Sequence, residues 1–345
     1  MRIGFISESF EGGGAERQAA LWIKACVDRG DEVTAITLRK DGHPLESAGI
    51  RHVHVPKQRS TDFIAVGRQL RRLDREVDAI VAFEPFLALC CAFANLRRPW
   101  MVVTGKVPYK LRENSRIPIA AFRVAFHRAA LASAPSRGVV ECHKRMGLRK
   151  RGEWRVIPNI ADEAAFDQPS GERAGALFVG RLVPVKNPML AAESAAVAGV
   201  PLTLLGEGAL DAAIKRWAAA RSPAPDVTLL PFERDPWPIY ARHRALVVTS
   251  IVESFGNVLV ESLAAGTPVV SVDCDFGPRE VLAGASYSRL VEPSVEAVSA
   301  ALRSVVEQPY GEAEERECLE IADRYRPSRI APLIAAALDA MRASG

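Results

Sequence analysis

The chain alternates short, almost wholly apolar runs with longer segments in which apolar residues recur every three or four positions. RIGFIS (2–7) leads into EGGGAE and then a helical pattern over 17–29 that Gly30 ends. EVTAITL (32–38), AIVAF (79–83) and WMVVT (100–104) continue the series, with shorter runs near 132–135 and 154–157. Runs this apolar suit strands covered on both faces, so the order β–Gly loop–α–β predicts a parallel, doubly wound sheet.

A polar stretch rich in Ala, Asp, Gln and Pro follows Ile157-Pro158-Asn159 and lasts to about Gly175, after which the pattern starts again. ALFVG (176–180), PLTLLG (201–206), VTLLP (227–231), ALVVTS (245–250) and PVVSVD (268–273) are separated by helical patterns, and a last helix is expected over 327–342. The expected organisation is α/β: a Rossmann-like domain over 1–165, a second over 166–325, and a helix over 326–345 that can cross back to the first. A cleft is expected between the two domains. The chain shows no internal repeat and no low-complexity tract.

At 345 residues there is enough chain for two cores, and 48% apolar with 25% charged residues describes a folded domain pair with little disorder. The start, MRIGFISESF, lacks the features of a signal peptide, and the longest uncharged apolar run, Phe86 to Leu96, is too short to span a bilayer. Six cysteines without CxxC spacing read as reduced thiols, so a cytoplasmic location and no structural zinc are expected.

The net charge of +4 hides an asymmetry. Residues 1–165 hold 28 Lys/Arg against 18 Asp/Glu, a net of +10, and the remainder nets −6. The first half therefore favours anionic partners. IPIAAFRVAFHRAA (117–130) sets Ile119, Phe122 and Phe126 apart from Arg116, Arg123 and His127, a pattern seen both in helices lying on anionic lipid and in core helices with a solvated basic face. His127 and His143 are read as surface histidines. Few aromatics and no stacking motif argue against nucleic-acid binding.

Three constellations carry chemistry. Gly12-Gly13-Gly14 sits where the first strand meets the first helix, where glycine admits close ligand approach or simply a tight turn. Position 17 is Arg, so the dinucleotide fingerprint is incomplete, an NAD-dependent dehydrogenase is disfavoured, and GxxxxGK[ST] is absent. Arg181 and Lys186, just beyond the first strand of the second series, pair a bidentate guanidinium with a point-charge ammonium, a combination suited to a diphosphate. Left solvated, the same two residues would be ordinary surface cations.

The third constellation is ESFGNVLVESLAAGTPVVS (253–271). Glu253 falls in a loop after a strand, and Phe255-Gly256-Asn257 opens a helix whose free N–H groups suit an anion. Asn257 or Ser254 could alternatively serve only as an N-cap. Glu261, about 6 Å further along the axis, can accept hydrogen bonds from a vicinal diol. Diphosphate in the middle with hydroxyls at each end describes a nucleoside diphosphate sugar.

With EGGGAERQ, RVIPNI, FVGRLVPVKNP, LLGEG, LLPFERD and FGPREVL, this stretch resembles the retaining glycosyltransferases of family 4, which share a Glu-x7-Glu signature and the GT-B fold of two Rossmann-like domains facing across a cleft. The resemblance implies that Arg181 and Lys186 bind the donor diphosphate and that Glu253 contacts the donor sugar. It also implies that the amides of Phe255, Gly256 and Asn257 hold sugar and phosphate, that Glu261 takes the ribose hydroxyls, and that Gly13 and Gly14 line the opposite wall. Such enzymes need no metal and no cofactor, since two cations and a helix dipole can replace the ion.

The chain departs from the family where a histidine commonly ends an N-domain strand. VVTGKVPYK places Gly105 or Lys106 there, so Lys106 is a candidate electrostatic contributor. The junction reads Pro158-Asn159-Ile160 rather than Pro-Asn-Gly, and Glu-Ser-Phe replaces the commoner Glu-Gly-Phe. The expected activity is hexosyl transfer from a nucleotide sugar, a UDP-sugar being favoured by FGPREVL. The expected acceptor is a glycan or lipid-linked acceptor of cell-surface polysaccharide or lipopolysaccharide synthesis, with peripheral membrane contact through the basic half. The alternatives are a GDP-mannose-dependent mannosyltransferase, a GT-B epimerase of UDP-N-acetylglucosamine, and a two-domain sugar-binding protein without catalysis.

Overall fold

A computed structural model describes residues 1–10, 13–39, 50–56, 63–105, 107, 117–148, 153–168 and 171–343. The chain divides into two units, Met1–Ile160 with Pro327–Gly345, and Ala161–Arg326.

In the first unit, seven strands form one parallel sheet. They are β1 (Arg2–Ser7), β2 (Glu32–Thr37), β3 (Ile50–His54), β4 (Ala79–Phe83), β5 (Trp100–Val103), β6 (Leu131–Ala134) and β7 (Trp154–Val156). Their order, β3-β2-β1-β4-β5-β6-β7, reverses direction between β1 and β4. Alternation along the strands feeds two cores. Ile3, Phe5, Val33, Ala79, Val81 and Phe83 pack with α1 (Gly14–Asp28) and the closing helix Pro327–Ala343. Ile6, Ile36, Ile80 and Ala82 pack with α2 (Phe63–Leu73), α3 (Pro85–Ala94) and α4 (Ile119–Arg128). Each large apolar side chain buried this way contributes about 1.5–3 kcal/mol, which is why the strands read as near-continuous apolar text.

One element lies outside the strands expected from the sequence, and one expectation is corrected. IRHVH forms the edge strand β3; its residues are partly or fully exposed and mostly polar, so they carry no apolar run. His143, expected at the surface, is fully buried in α5 (Arg137–Arg145), between Phe126 (centroids 5.7 Å) and Trp154 (4.9 Å). His127 is exposed.

The second unit repeats the plan. Strands β8 (Ala176–Val179), β9 (Leu202–Leu205), β10 (Val227–Leu230), β11 (Ala245–Val248), β13 (Val269–Val272) and β15 (Arg289–Val291) form a parallel sheet ordered β10-β9-β8-β11-β13-β15. Two-residue strands β12 (Val252–Glu253) and β14 (Asp275–Phe276) make a separate parallel ribbon. The helices include α6 (Pro188–Ala198), α7 (Asp211–Ala219), α8 (Trp237–Tyr240), α9 (Asn257–Ala264), α10 (Gly277–Val281), α11 (Val295–Glu307) and α12 (Glu312–Asp323).

The ends of each unit are tied within it. Gln18 Nε2 donates to the Ile160 carbonyl (2.8 Å) and Gln18 Oε1 accepts from the Ile160 N–H (2.7 Å), both groups being buried. One residue on, the Ala161 N–H donates to the Tyr325 carbonyl (2.8 Å), closing the second unit.

Candidate active site

In the second unit the strand order reverses between β8 and β11, and the residues beyond their carboxyl ends are brought together. After β8 the chain passes through Gly180 and Arg181 into a tight 3-10 turn, Pro184–Lys186. After β11, Thr249 Oγ1 donates to the carbonyls of Asn187 (2.8 Å) and Lys186 (3.3 Å), and the Ile251 N–H donates to the Val185 carbonyl (2.9 Å). These bonds fix the lysine turn against the loop that carries Glu253.

The Lys186 ammonium forms an ion pair with Glu253 Oε1, and Ser250 Oγ donates to the same oxygen (2.7 Å). Glu253 is only 8% exposed, so its charge depends on these partners. Both bonds fall on Oε1. Lysine has three donors, so the ammonium can bind Glu253 and an oxyanion together. The Arg181 guanidinium is exposed and makes no ion pair among the described residues.

Glu253 is also held from the other side. The ribbon sets Val252 beside Asp275 and Glu253 beside Phe276. Gly277 then presses on Phe255 so closely that a Cβ would lie 2.1 Å from the Phe255 carbonyl oxygen, which only glycine allows. Cys274 borders the pair: burial first, and then the Glu253 charge, push its thiol up to about 12.

Helix α9 starts at Asn257 with Gly256 as N-cap, a residue with no side chain to cap it. Gly256 adopts φ 88°, a conformation that favours glycine. A glycine N-cap offers no side-chain oxygen of its own to the first amides of α9. The Phe255 ring turns into the core, edge-on to Tyr325 at 5.3 Å, so only its backbone can serve a ligand. One turn into α9, Glu261 Oε2 accepts from the hydroxyl of fully buried Tyr240 (3.0 Å).

The structure therefore gathers Arg181, Lys186, Glu253, Phe255, Gly256, Asn257 and Glu261 in one unit. Gly13 and Gly14 belong to the other, where Gly13 is the N-cap of α1 without a side-chain cap. Lys106 lies outside the described residues, and Gly105 follows the end of β5. Sequence reasoning missed Ser250, Tyr240 and Cys274. Ser250 could have been found three residues before Glu253, but Tyr240 reaches Glu261 only through the tertiary fold. Among the described residues, no three His, Cys, Asp or Glu side chains cluster so as to hold a metal ion.

Residues 161–324 match the model for glycosyl transferases group 1, and residues 12–164 match that for Glycosyltransferase Family 4. The lipopolysaccharide core biosynthesis glycosyltransferase LpsE of Rhizobium meliloti is 28% identical over 284 residues, covering 77% of each chain. An N-acetylgalactosaminyltransferase of Campylobacter jejuni, named for a diphospho-undecaprenol acceptor, is 32% identical over 138 residues, 39% of this chain and 38% of that one. Among solved structures, HepE of Anabaena in complex with UDP superposes with a TM-score of 0.81 at 22% identity, covering 98% of this chain and 100% of that one. Sucrose-phosphate synthase of Thermosynechococcus elongatus gives 0.81 at 17%, covering both chains fully. These likenesses establish the GT-B fold.

Proposed function

Since the chain belongs to the family 4 glycosyltransferases, we propose that it moves a hexosyl unit from a UDP-sugar, with retention at the anomeric carbon and without a metal ion, to a glycan or lipid-linked acceptor of lipopolysaccharide or surface-polysaccharide synthesis. The observation that carries this reading is the Lys186–Glu253 pair, buttressed by Ser250 at the head of α9.

In this reading Arg181, Lys186 and the α9 amides hold the two phosphates and stabilise the charge that develops on the leaving diphosphate. Glu253 accepts hydrogen bonds from the donor sugar, and Glu261, oriented by Tyr240, accepts them from the ribose. The anomeric C–O bond to the β-phosphate breaks and the acceptor oxygen bonds to the same carbon from the same face. The acceptor's proton passes to the departing phosphate oxygen, so no separate base is required.

A uridine donor is supported by HepE, crystallised with UDP and with UDP-glucose. A lipid-linked or lipopolysaccharide acceptor is supported by the names of LpsE and of the Campylobacter enzyme. Peripheral contact with the anionic inner face of the cytoplasmic membrane is supported by α2, α3 and α4. These three carry no Asp or Glu, and expose Arg68, Arg72, Arg123 and Arg128 with Phe93 and Val124. No described helix is long and apolar enough to cross a membrane.

A thermal-shift panel with UDP, GDP, ADP and TDP, with and without magnesium, tests the reading, because a ligand that binds only the folded protein raises Tm. UDP alone should raise it, to the same extent in EDTA. A shift with GDP instead would make the donor a GDP-sugar, as in the mannosyltransferase alternative, and no shift with any diphosphate would sink the proposal.

A further inference from the structure

At the amino ends of β1, β4 and β5 the first unit has a pocket of about 490 Å³, lined by Met1, Asp78, Arg97, Arg98, Pro99 and Arg342. These strands are parallel, so the pocket lies at the edge of the sheet opposite to the one that leads to Gly13 and Gly14. The six residues of β1 separate the two edges by about 20 Å. The loop that carries Arg97 and Arg98 is fixed from behind. Their N–H groups donate to the two carboxylate oxygens of buried Asp74 (2.9 and 3.0 Å), and the Pro99 carbonyl accepts from the Ile80 N–H (3.1 Å).

The single carboxylate of the lining is already engaged. Asp78 accepts from the Arg2 N–H (2.9 Å) on one oxygen and from Arg2 Nη2 (2.7 Å) on the other. These bonds lower its pKa, and the Arg98 charge adds to the effect. Asp31, which pairs with the Met1 amino group (2.7 Å), also accepts from Arg29 Nε (2.7 Å). Arg97, Arg98 and Arg342 are exposed and form no ion pair among the described residues. Arg342 lies in the last turn of the closing helix, where a cation complements the helix dipole. Arg97 and Arg98 have no such duty, because the end of α3 is served by others. Arg71 Nε donates to the Ala94 carbonyl (2.7 Å), and Arg128 Nη2 to Asn95 Oδ1.

We infer that this pocket binds a phosphoryl group, held by the guanidiniums of Arg97, Arg98 and Arg342. Three cations around one hollow repel one another, and a dianion placed among them turns that repulsion into attraction. Each planar guanidinium can meet two oxygens of one phosphoryl group at once, which favours phosphate over a spherical ion such as chloride. The backbone bonds to Asp74 and Ile80 set Arg97 and Arg98 in place before a ligand arrives, so less ordering is lost on binding. The volume leaves room for more than one phosphoryl group, or for one that belongs to a larger molecule.

The test follows melting with two probes that distinguish a free ion from a lipid headgroup. One is inorganic pyrophosphate, against sodium chloride at equal ionic strength. The other is dihexanoyl phosphatidic acid, against dihexanoyl phosphatidylcholine. The unaltered protein is compared with the double variant Arg98→Gln, Arg342→Gln, whose changes are exposed and should leave Tm in chloride alone. At about ten times its half-saturating concentration, at least one probe should raise the Tm of the unaltered protein by about 2–4 °C. That shift should fall by half or more in the double variant. A shift with pyrophosphate alone identifies a free phosphoryl anion as the ligand, and one with phosphatidic acid alone identifies a headgroup. Should the double variant melt low in chloride, Arg97→Gln alone gives the same comparison. A shift undiminished by the substitutions, as pyrophosphate held by Arg181 and Lys186 would give, or no shift with either probe, would overturn the inference.

Discussion

At the scale of residues, the Lys186–Glu253 pair and Glu261 should respond differently to substitution. Lys186→Met leaves Glu253 buried, with the hydroxyl of Ser250 still donating to it. It should lower kcat about 100-fold or more and lower stability by about 1–3 kcal/mol. Glu261→Ala should raise the half-saturating donor concentration about tenfold and change kcat little, because ribose contacts are alike in the ground and transition states. Steady-state kinetics with melting curves separate the two; a normal kcat for Lys186→Met, or an equal loss of kcat and kcat/KM for Glu261→Ala, would contradict the assigned roles.

His143 gives a second prediction at this scale. Burial lowers its pKa to about 4 from the ordinary 6.5. Nδ1 engages the Val139 carbonyl (2.8 Å), and neither His143 Nε2 nor Trp154 Nε1 has a hydrogen-bond partner among the described residues. The folded protein keeps the ring neutral while the unfolded chain takes up a proton below about 6.5. The ring's contribution to stability is therefore complete above that pH and is lost as pH falls towards 4, by on the order of 3 kcal/mol. Urea titrations between pH 7 and 4 should show this slope in the normal protein and a flatter one in His143→Gln. Parallel slopes would mean that other groups set the acid limit. The text of α5, RGVVECHKR, gives no warning of the burial, because Phe126 and Trp154 arrive from other elements.

Among elements, legibility follows burial. β1, β4, β8 and β11 are covered on both faces and stand out as apolar text, whereas β3 is a half-exposed edge whose residues satisfy no periodic rule. The β12–β14 ribbon, two residues per strand, falls below any pattern window although it seats Glu253. The candidate site residues of the second unit stand out in the sequence because a strand end, a glycine and a helix start fall close to them. Their orienting partners Ser250 and Tyr240 do not, since neither lies in such a signature. The acid-free layer of α2, α3 and α4 carries its own prediction. The protein should float with vesicles containing a third of anionic lipid and remain behind with neutral ones, and Arg72→Glu with Arg128→Glu should abolish flotation. Equal flotation with both vesicle types would remove the electrostatic basis for membrane contact.

The whole molecule holds the same sheet plan twice, with opposite charge: the basic residues gather in the first half of the chain and the acidic surplus in the second. Its units are not equal in continuity. The second is one unbroken segment, Ala161–Arg326, whereas the first takes Ile330, Ile334, Ala337, Leu338 and Met341 of the closing helix into its core. During synthesis the ribosome therefore makes all but one helix of the first unit and then the whole of the second. At bacterial or eukaryotic elongation rates, roughly 10–30 s pass before the missing helix emerges. Through that interval the seat of the closing helix beside α1 stays open to water. The unit that begins the chain is thus the last to be finished.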